Sequence, residues 1–271
     1  MRLVDTHAHL CDEQFAETFQ AVIDRAKSVG VEAILNIGTT RLSSEQCVEL
    51  SQSFKAAQST THMRAAVGIH PNYGHLAEAG DWARIEQLAE LPLVAAIGET
   101  GLDRYWHDCP WETQLDFFER HIALAQKTGL PIVVHSRDCD HEMLDFLSVM
   151  LPRYGVIGVM HSFVSTWDVC RACLDLGMYI SFAGQLTYKK QTALREVASR
   201  VPEERLLVET DAPYLSPEPY RSQRPNEPAR VFSTLEVLAQ TRLVTPEKMG
   251  EMTTRNAYRL FPRLAGGQSD A

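Results

Sequence analysis

Several hallmarks of other protein classes are missing from this chain of 271 residues. No apolar stretch approaches the roughly 18 residues that cross a bilayer. The opening Met1-Arg2-Leu3-Val4-Asp5 contains no apolar core of a secretory signal, so neither a span nor an export signal is expected. Basic residues are in deficit, with 26 Lys and Arg against 35 Asp and Glu, a formal net charge of −9. That argues against a protein that grips nucleic acid along a basic face. It leaves open a local site where metal ions bring the positive charge. Cysteines are few and scattered, at positions 11, 47, 109, 139, 170 and 173. Such scatter suits reduced thiols in the cytoplasm rather than a disulfide framework. Cys170 and Cys173 have the CxxC spacing, but no second pair completes a zinc site. On an expected helix they share one face, and core packing accounts for them.

What remains is an ordinary globular composition, 45% hydrophobic and 23% charged, enough for one large core. Short apolar runs alternate with longer amphipathic stretches. Strands are expected at Leu3–Asp5, Ala33–Ile37, Arg64–Ile69, Leu93–Gly98, Ile132–His135, Val156–His161, Met178–Phe182 and Leu206–Glu209. Helices are expected near 15–29, 44–57, 82–90, 111–128, 140–151, 167–176, 190–199, 229–241 and 246–260. Many strand runs are apolar throughout, as parallel strands covered on both faces require. Gly30, Gly129, Gly155 and Gly177 each stand where a helix stops before a strand. Repeated strand-then-helix units predict an α/β fold, a single-domain (β/α)8 TIM barrel over residues 1–264, with 265–271 as a disordered tail. The Pro-, Arg- and Ser-rich stretch from Pro213 to Pro228 reads as a long loop after the last strand.

In such a barrel the active site lies at the carboxyl ends of the strands, and the polar residues fall there. His7 and His9 close the first run, and side chains two apart on a strand point the same way. Both imidazoles can therefore reach one metal ion. His70 follows the third strand, Glu99 the fourth, His135 the fifth, His161 the sixth and Asp211 the eighth. Partly buried polar groups gathered on one rim are costly without a partner, and a divalent cation supplies one. The donors exceed a single tetrahedral set. Glu99, midway round the ring, can bridge two ions, with His7, His9 and Asp211 on one and His135 and His161 on the other. Imidazole suits zinc, manganese and iron, and carboxylate suits magnesium and manganese, so Mg2+, Mn2+ and Zn2+ are the candidates. Such a pair would activate water and stabilise charge on phosphate or carbonyl oxygens, with Asp211 as the group that accepts the water's proton.

The chain resembles the TatD family of metal-dependent deoxyribonucleases, within the amidohydrolase-like barrels. The resemblance rests on Asp5-Thr6-His7-Ala8-His9-Leu10, Gly68-Ile69-His70-Pro71, Ile97-Gly98-Glu99-Thr100-Gly101-Leu102-Asp103, His135-Ser136-Arg137-Asp138, His161-Ser162-Phe163, Tyr179-Ile180-Ser181-Phe182, Glu209-Thr210-Asp211-Ala212-Pro213-Tyr214-Leu215 and Asn226-Glu227-Pro228. It runs nearly end to end. It implies a (β/α)8 barrel, a one- or two-metal site with His7, His9, Glu99, His135, His161 and Asp211 as ligands, and hydrolysis of DNA phosphodiester bonds. For several members it implies trimming of single strands from the 3′ end. Two stretches depart from the family pattern: Ser162 to Ser165 after His161, and Arg224, displaced by one residue from Asn226-Glu227-Pro228.

His70, Arg137 and Arg224 are the candidate substrate contacts. Tyr105 and Trp106 are rim aromatics on which bases could stack, and Lys189, Lys190, Arg221 and Arg224 are the local basic residues. The expectation is a cytoplasmic, monomeric exonuclease acting on single-stranded DNA. The rival from the same barrel class cleaves an ester, lactone or amide, including the ester of an aminoacyl-tRNA, because the same ions can polarise a carbonyl. A metal-bound barrel that serves as a scaffold without turnover is the third reading.

Overall fold

The computed structural model describes residues 1–56 and 61–265. The expected tail, Ala265 apart, and the last residue of the second expected helix lie outside the described residues. The strands are β1 (Leu3–Ala8), β2 (Val31–Ile37), β3 (His62–Val67), β4 (Val94–Asp103), β5 (Ile132–Arg137), β6 (Gly158–Met160), β7 (Tyr179–Phe182) and β8 (Leu206–Val208). They form one parallel sheet in sequence order, each hydrogen-bonded to the next. Ala8 pairs with Ala212 just past β8, which brings the last strand back to the first. The α-helices are α1 (Phe19–Ser28), α2 (Arg41–Ala56), α3 (Asp81–Ala89), α4 (Trp111–Thr128), α5 (Asp140–Tyr154), α6 (Trp167–Asp175), α7 (Thr192–Arg200), α8 (Val231–Thr241) and α9 (Pro246–Leu260). This is the (β/α)8 barrel that the alternation of runs predicts.

Two hydrophobic clusters divide the work. The larger lies between the strands and the surrounding helices, and Cys170 and Cys173 belong to it, fully buried and unpaired. The smaller fills the barrel interior with Val4, Leu35, Ala66, Ala96, Val133 and Leu207, and continues into Ala257, Leu260, Phe261 and Leu264 below. Those last residues close the amino end. Asn256 of α9 donates to the Leu206 carbonyl at the start of β8, and Arg263 donates to that of Val94 at the start of β4.

The widest departure from expectation is in β4, which runs five residues past the expected end at Gly98, so that Glu99 sits within the strand. The register shifts between Ile97 and Thr100, and two glycines make that possible. Gly98 and Gly101 hold φ of 141° and 139°; a Cβ at Gly98 would come within 2.7 Å of the Val133 carbonyl oxygen, and one at Gly101 within 2.0 Å of that of His135. Only glycine fits such an approach. α5 likewise continues three residues beyond its expected end, through Pro152, before Gly155 closes it.

Candidate metal centre

The seam between β1 and β8 positions the first group of donors. The Asp5 carboxylate, fully buried, accepts from the Thr210 hydroxyl and backbone N–H and from the His7 N–H. Burial pushes the Asp5 carboxyl up to about 7 against those hydrogen bonds. Past β8 the chain answers β1 directly, with Asp211 N–H donating to the His7 carbonyl and His9 N–H to that of Ala212. Alternation along β1 then brings His7 and His9 to one side, with Asp211 across the seam.

The donor atoms converge. His7 Nε2 lies 3.2 Å from His9 Nε2, 3.4 Å from Glu99 Oε2 and 3.6 Å from Asp211 Oδ1. His9 Nε2 is 3.7 Å from Glu99 Oε2 and 3.4 Å from Asp211 Oδ1. A tetrahedral ion with donors at about 2.0–2.1 Å has edges of about 3.3–3.4 Å, and these five separations lie close to that. The other Glu99 oxygen faces a second group: Oε1 is 2.8 Å from His161 Nε2 and 3.0 Å from His135 Nδ1, which are 3.2 Å apart. Glu99 thus presents one oxygen to each cluster.

For three of the four imidazoles the far side determines the tautomer, whereas the buried Nδ1 of His7 has no hydrogen-bond partner among the described residues. His9 Nδ1 donates to the Ile37 carbonyl, His135 Nε2 to Asp103 Oδ2 and His161 Nδ1 to Glu209 Oε1. When neutral, each therefore turns an unprotonated nitrogen inward, as a metal ligand must. His70 is the reverse. On distance alone it groups with Glu99 and His135, but its Nδ1 accepts the Asn72 backbone N–H. The neutral ring then carries its proton on Nε2, 3.4 Å from Glu99 Oε1. His70 faces the centre as a hydrogen-bond donor.

The electrostatics ask for a cation. Burial would raise the Glu99 carboxyl, but His161, His70 and His7 together hold it well below the usual range. Asp211 is also lowered, because His9 and His7 outweigh its burial. Burial would lower His161, yet the charges of Glu99 and Glu209 raise it well above the ordinary imidazole. Two ionised carboxylates below the surface favour positive charge between them, and a divalent ion can take the place of the proton on His161. The donor set, its spacing and its second layer of hydrogen bonds fit a metal centre.

The substrate candidates spread outward from this core. His70 stands at its edge. Arg137 is exposed and lays its guanidinium 3.7 Å above the Tyr105 ring. Tyr105 packs edge-on against Trp106, 5.0 Å between centroids. Arg224 is exposed near Tyr188, whose ring lies 4.0 Å beneath the Arg221 guanidinium. Ser162, in the departing stretch after His161, donates its N–H to Glu209 Oε1.

Sequence reasoning missed four contributors. Asp103 braces His135 and also accepts from Asn72 and from the N–H groups of Tyr105 and Trp106. Glu209 braces His161. Both carry the signal that exposed His7 and His9: Glu209 stands two residues before Asp211, and Asp103 four after Glu99 on one strand. Ending the strand at Gly98 hid the second. Tyr73 and Tyr214 had no periodic signal at all. Their rings lie 5.6 Å from His70 and 6.0 Å from His9.

Comparison with known proteins agrees with this geometry. The model of the TatD related DNase family matches residues 4–262. The chain is 37% identical over 259 residues to the metal-dependent hydrolase YabD of Bacillus subtilis, covering 96% of this chain and 98% of that protein. It is 33% identical over 263 residues to the 3'-5' ssDNA/RNA exonuclease TatD of Erwinia billingiae, with 96% and 98% covered. The crystal structure of YJJV, a TatD homologue from Escherichia coli, superimposes with a TM-score of 0.87 at 27% identity, covering 96% of this chain and 98% of that one. With the family match spanning nearly the whole barrel and every strand-end motif in order, the chain belongs to the family of TatD-related DNases.

Proposed function

We propose that this protein is a metal-dependent phosphodiesterase that trims single-stranded DNA from its 3′ end. The observation that carries the reading is Glu99, a buried carboxylate with one oxygen in each of two donor clusters. His7, His9 and Asp211 would hold one divalent ion and His135 and His161 the other, with Glu99 between them. Bound Mg2+, Mn2+ or Zn2+ supplies Lewis acidity toward a phosphate oxygen and a water. The chain's own residues do the rest. Asp211, kept ionised by His9 and His7, accepts the water's proton. His70 directs its Nε2–H at the rim of the centre, where it can donate to a non-bridging phosphate oxygen. Arg137 and Arg224 offer positive charge to the flanking strand from opposite parts of the rim. With a net charge of −9, affinity for phosphate is concentrated at the centre rather than spread over a face.

We further propose a monomer in the cytoplasm. All six cysteines are free thiols, as a reducing compartment keeps them. Among the described residues no helix is long and apolar enough to cross a membrane.

The test uses 5′- and 3′-labelled oligonucleotides, single- and double-stranded, DNA and RNA, with EDTA, Mg2+, Mn2+ or Zn2+. The expected result is metal-dependent shortening of single-stranded DNA from the 3′ end, slowed on the order of 1000-fold in Asp211→Asn. Near-wild-type activity of purified Asp211→Asn would sink the mechanism. Hydrolysis of an ester panel with no cleavage of any oligonucleotide would move the assignment to a carbonyl hydrolase of the same barrel class.

A further inference from the structure

Tyr73 and Tyr214 stand at the mouth of the metal centre. Tyr73 lies on the 3-10 turn Pro71–Leu76 after β3, its N–H bonded to the His70 carbonyl. Tyr214 lies three residues past Asp211, its N–H bonded to the Asp211 carbonyl. Each ring leans on a different histidine, Tyr73 on His70 and Tyr214 on His9. Those two histidines approach opposite oxygens of Glu99, at 3.4 and 3.7 Å. The tyrosines therefore flank one carboxylate from its two sides. Both remain open to solvent, 41% and 46% exposed. Burial, helped by the nearby Asp12, Tyr73, Asp211 and Glu99, pushes the Tyr214 phenol up to about 12.

Single exposed aromatics need no explanation. Two flat rings tethered by backbone to His70 and Asp211, each against its own edge of the centre, are a different matter. Whatever occupies the centre must pass between or beside them. A phosphodiester reaching Glu99 carries a sugar and a base on each side, and only the base has a flat face that stacks on a phenol ring. In a duplex that face is already stacked and paired.

Building on the nuclease reading above, we propose that Tyr73 and Tyr214 form an aromatic jaw that holds the unpaired nucleobase of a nucleotide beside the scissile phosphate. The jaw makes the enzyme a reader of bases as well as of phosphate, and it accounts physically for a preference for single strands. It tolerates any base, because every base has a π face.

The test pairs Tyr73→Ala, Tyr214→Ala and the two Phe variants with two substrates, a single-stranded oligonucleotide and the same strand with abasic residues at its last two 3′ positions. Stacking of about 1–3 kcal/mol per base corresponds to roughly 5- to 150-fold in affinity. On the intact strand each Ala variant should lose kcat/KM in that range, mainly through KM. The Phe variants, which keep the ring, should stay within about twofold. On the abasic strand wild type should already be slow and the Ala variants no slower. Metal content should be the same in all. Equal losses on intact and abasic strands, or no loss on the intact strand, overturn the jaw. A wild type that cuts the intact and abasic strands equally well overturns the jaw alone. A wild type that cuts neither overturns the nuclease reading as well.

Discussion

At the amino end of the barrel Ala257, Leu260, Phe261 and Leu264 close the interior, none of them more than 1% exposed. At the carboxyl end the same strands finish in His7, Glu99, His135 and their neighbours, where ionised carboxylates and imidazoles gather within a few ångströms of one another. One end is chosen for volume and apolar surface, and its worth is in free energy of folding. The other collects groups whose desolvation opposes folding and whose worth is in chemistry. Function and stability are thus separated along the barrel axis, as the fold allows in general. The separation predicts that damage at one end should leave the other end's property intact.

The largest effect expected from breaking the apolar end comes from Phe261→Ala. Phe261 is fully buried among strand and helix residues, and emptying such a site costs about 3–5 kcal/mol. Denaturant titration should show that loss, while metal binding and turnover per folded molecule at 25 °C stay near wild type. Reduced turnover at unchanged stability would show that the two ends communicate and would break the comparison.

How far this contrast was legible in the sequence depends on what each residue relies on. The strands and helices stood out because parallel strands buried on both faces become continuous apolar runs, and Ile132–His135 or Met178–Phe182 needed no context. The gathering of His7, His9 and Asp211 followed from strand alternation plus closure of a barrel. β4 resisted because Gly98 and Gly101 read as a strand end, whereas their missing side chains let the strand pass against β5. The tautomer of His70 depends on one backbone N–H from Asn72, and the stacking of Arg137 on Tyr105 depends on where a loop returns. Neither has a periodic trace. The same holds for Tyr73 and Tyr214, which chain connectivity places far apart and the folded rim places around one carboxylate.

A second test sharpens the comparison within one residue type. His121, on α4, is as buried as His7, yet both of its nitrogens are spent. Nε2 accepts the Ile69 N–H, next to His70, and Nδ1 donates to the Phe117 carbonyl. Burial lowers it to about 4. The folded value lies below the unfolded value of about 6.5, so the unfolded chain binds the extra proton between them. His121 therefore contributes stability that is complete above about pH 6.5 and is lost as the pH falls toward 4, a change on the order of 3 kcal/mol. Stability curves of wild type and His121→Gln in EDTA should differ in slope across that window and run parallel above it. Parallel curves throughout would mean that His121 takes no part in the acid sensitivity.

The smallest expected effect probes the polar end at its second layer. Asp103 and Glu209 each brace one inward-facing imidazole, but on different sides of the second cluster, and Asp103 alone also holds the N–H groups of Tyr105 and Trp106. Replacing a carboxylate that orients a metal-binding histidine typically costs 10- to 100-fold in metal affinity. Asp103→Asn keeps the shape and an oxygen to accept the two N–H groups. What it weakens is the hold on the His135 Nε2–H, and with it the bias toward an unprotonated Nδ1. Calorimetric metal titration should then show affinity falling 10- to 100-fold for one of two ions. The other, between His7, His9 and Asp211, should bind as before, because His9 takes its tautomer from the Ile37 carbonyl instead. If both affinities fall together, Glu99 transmits the change, and the two clusters behave as one centre rather than two that share an edge.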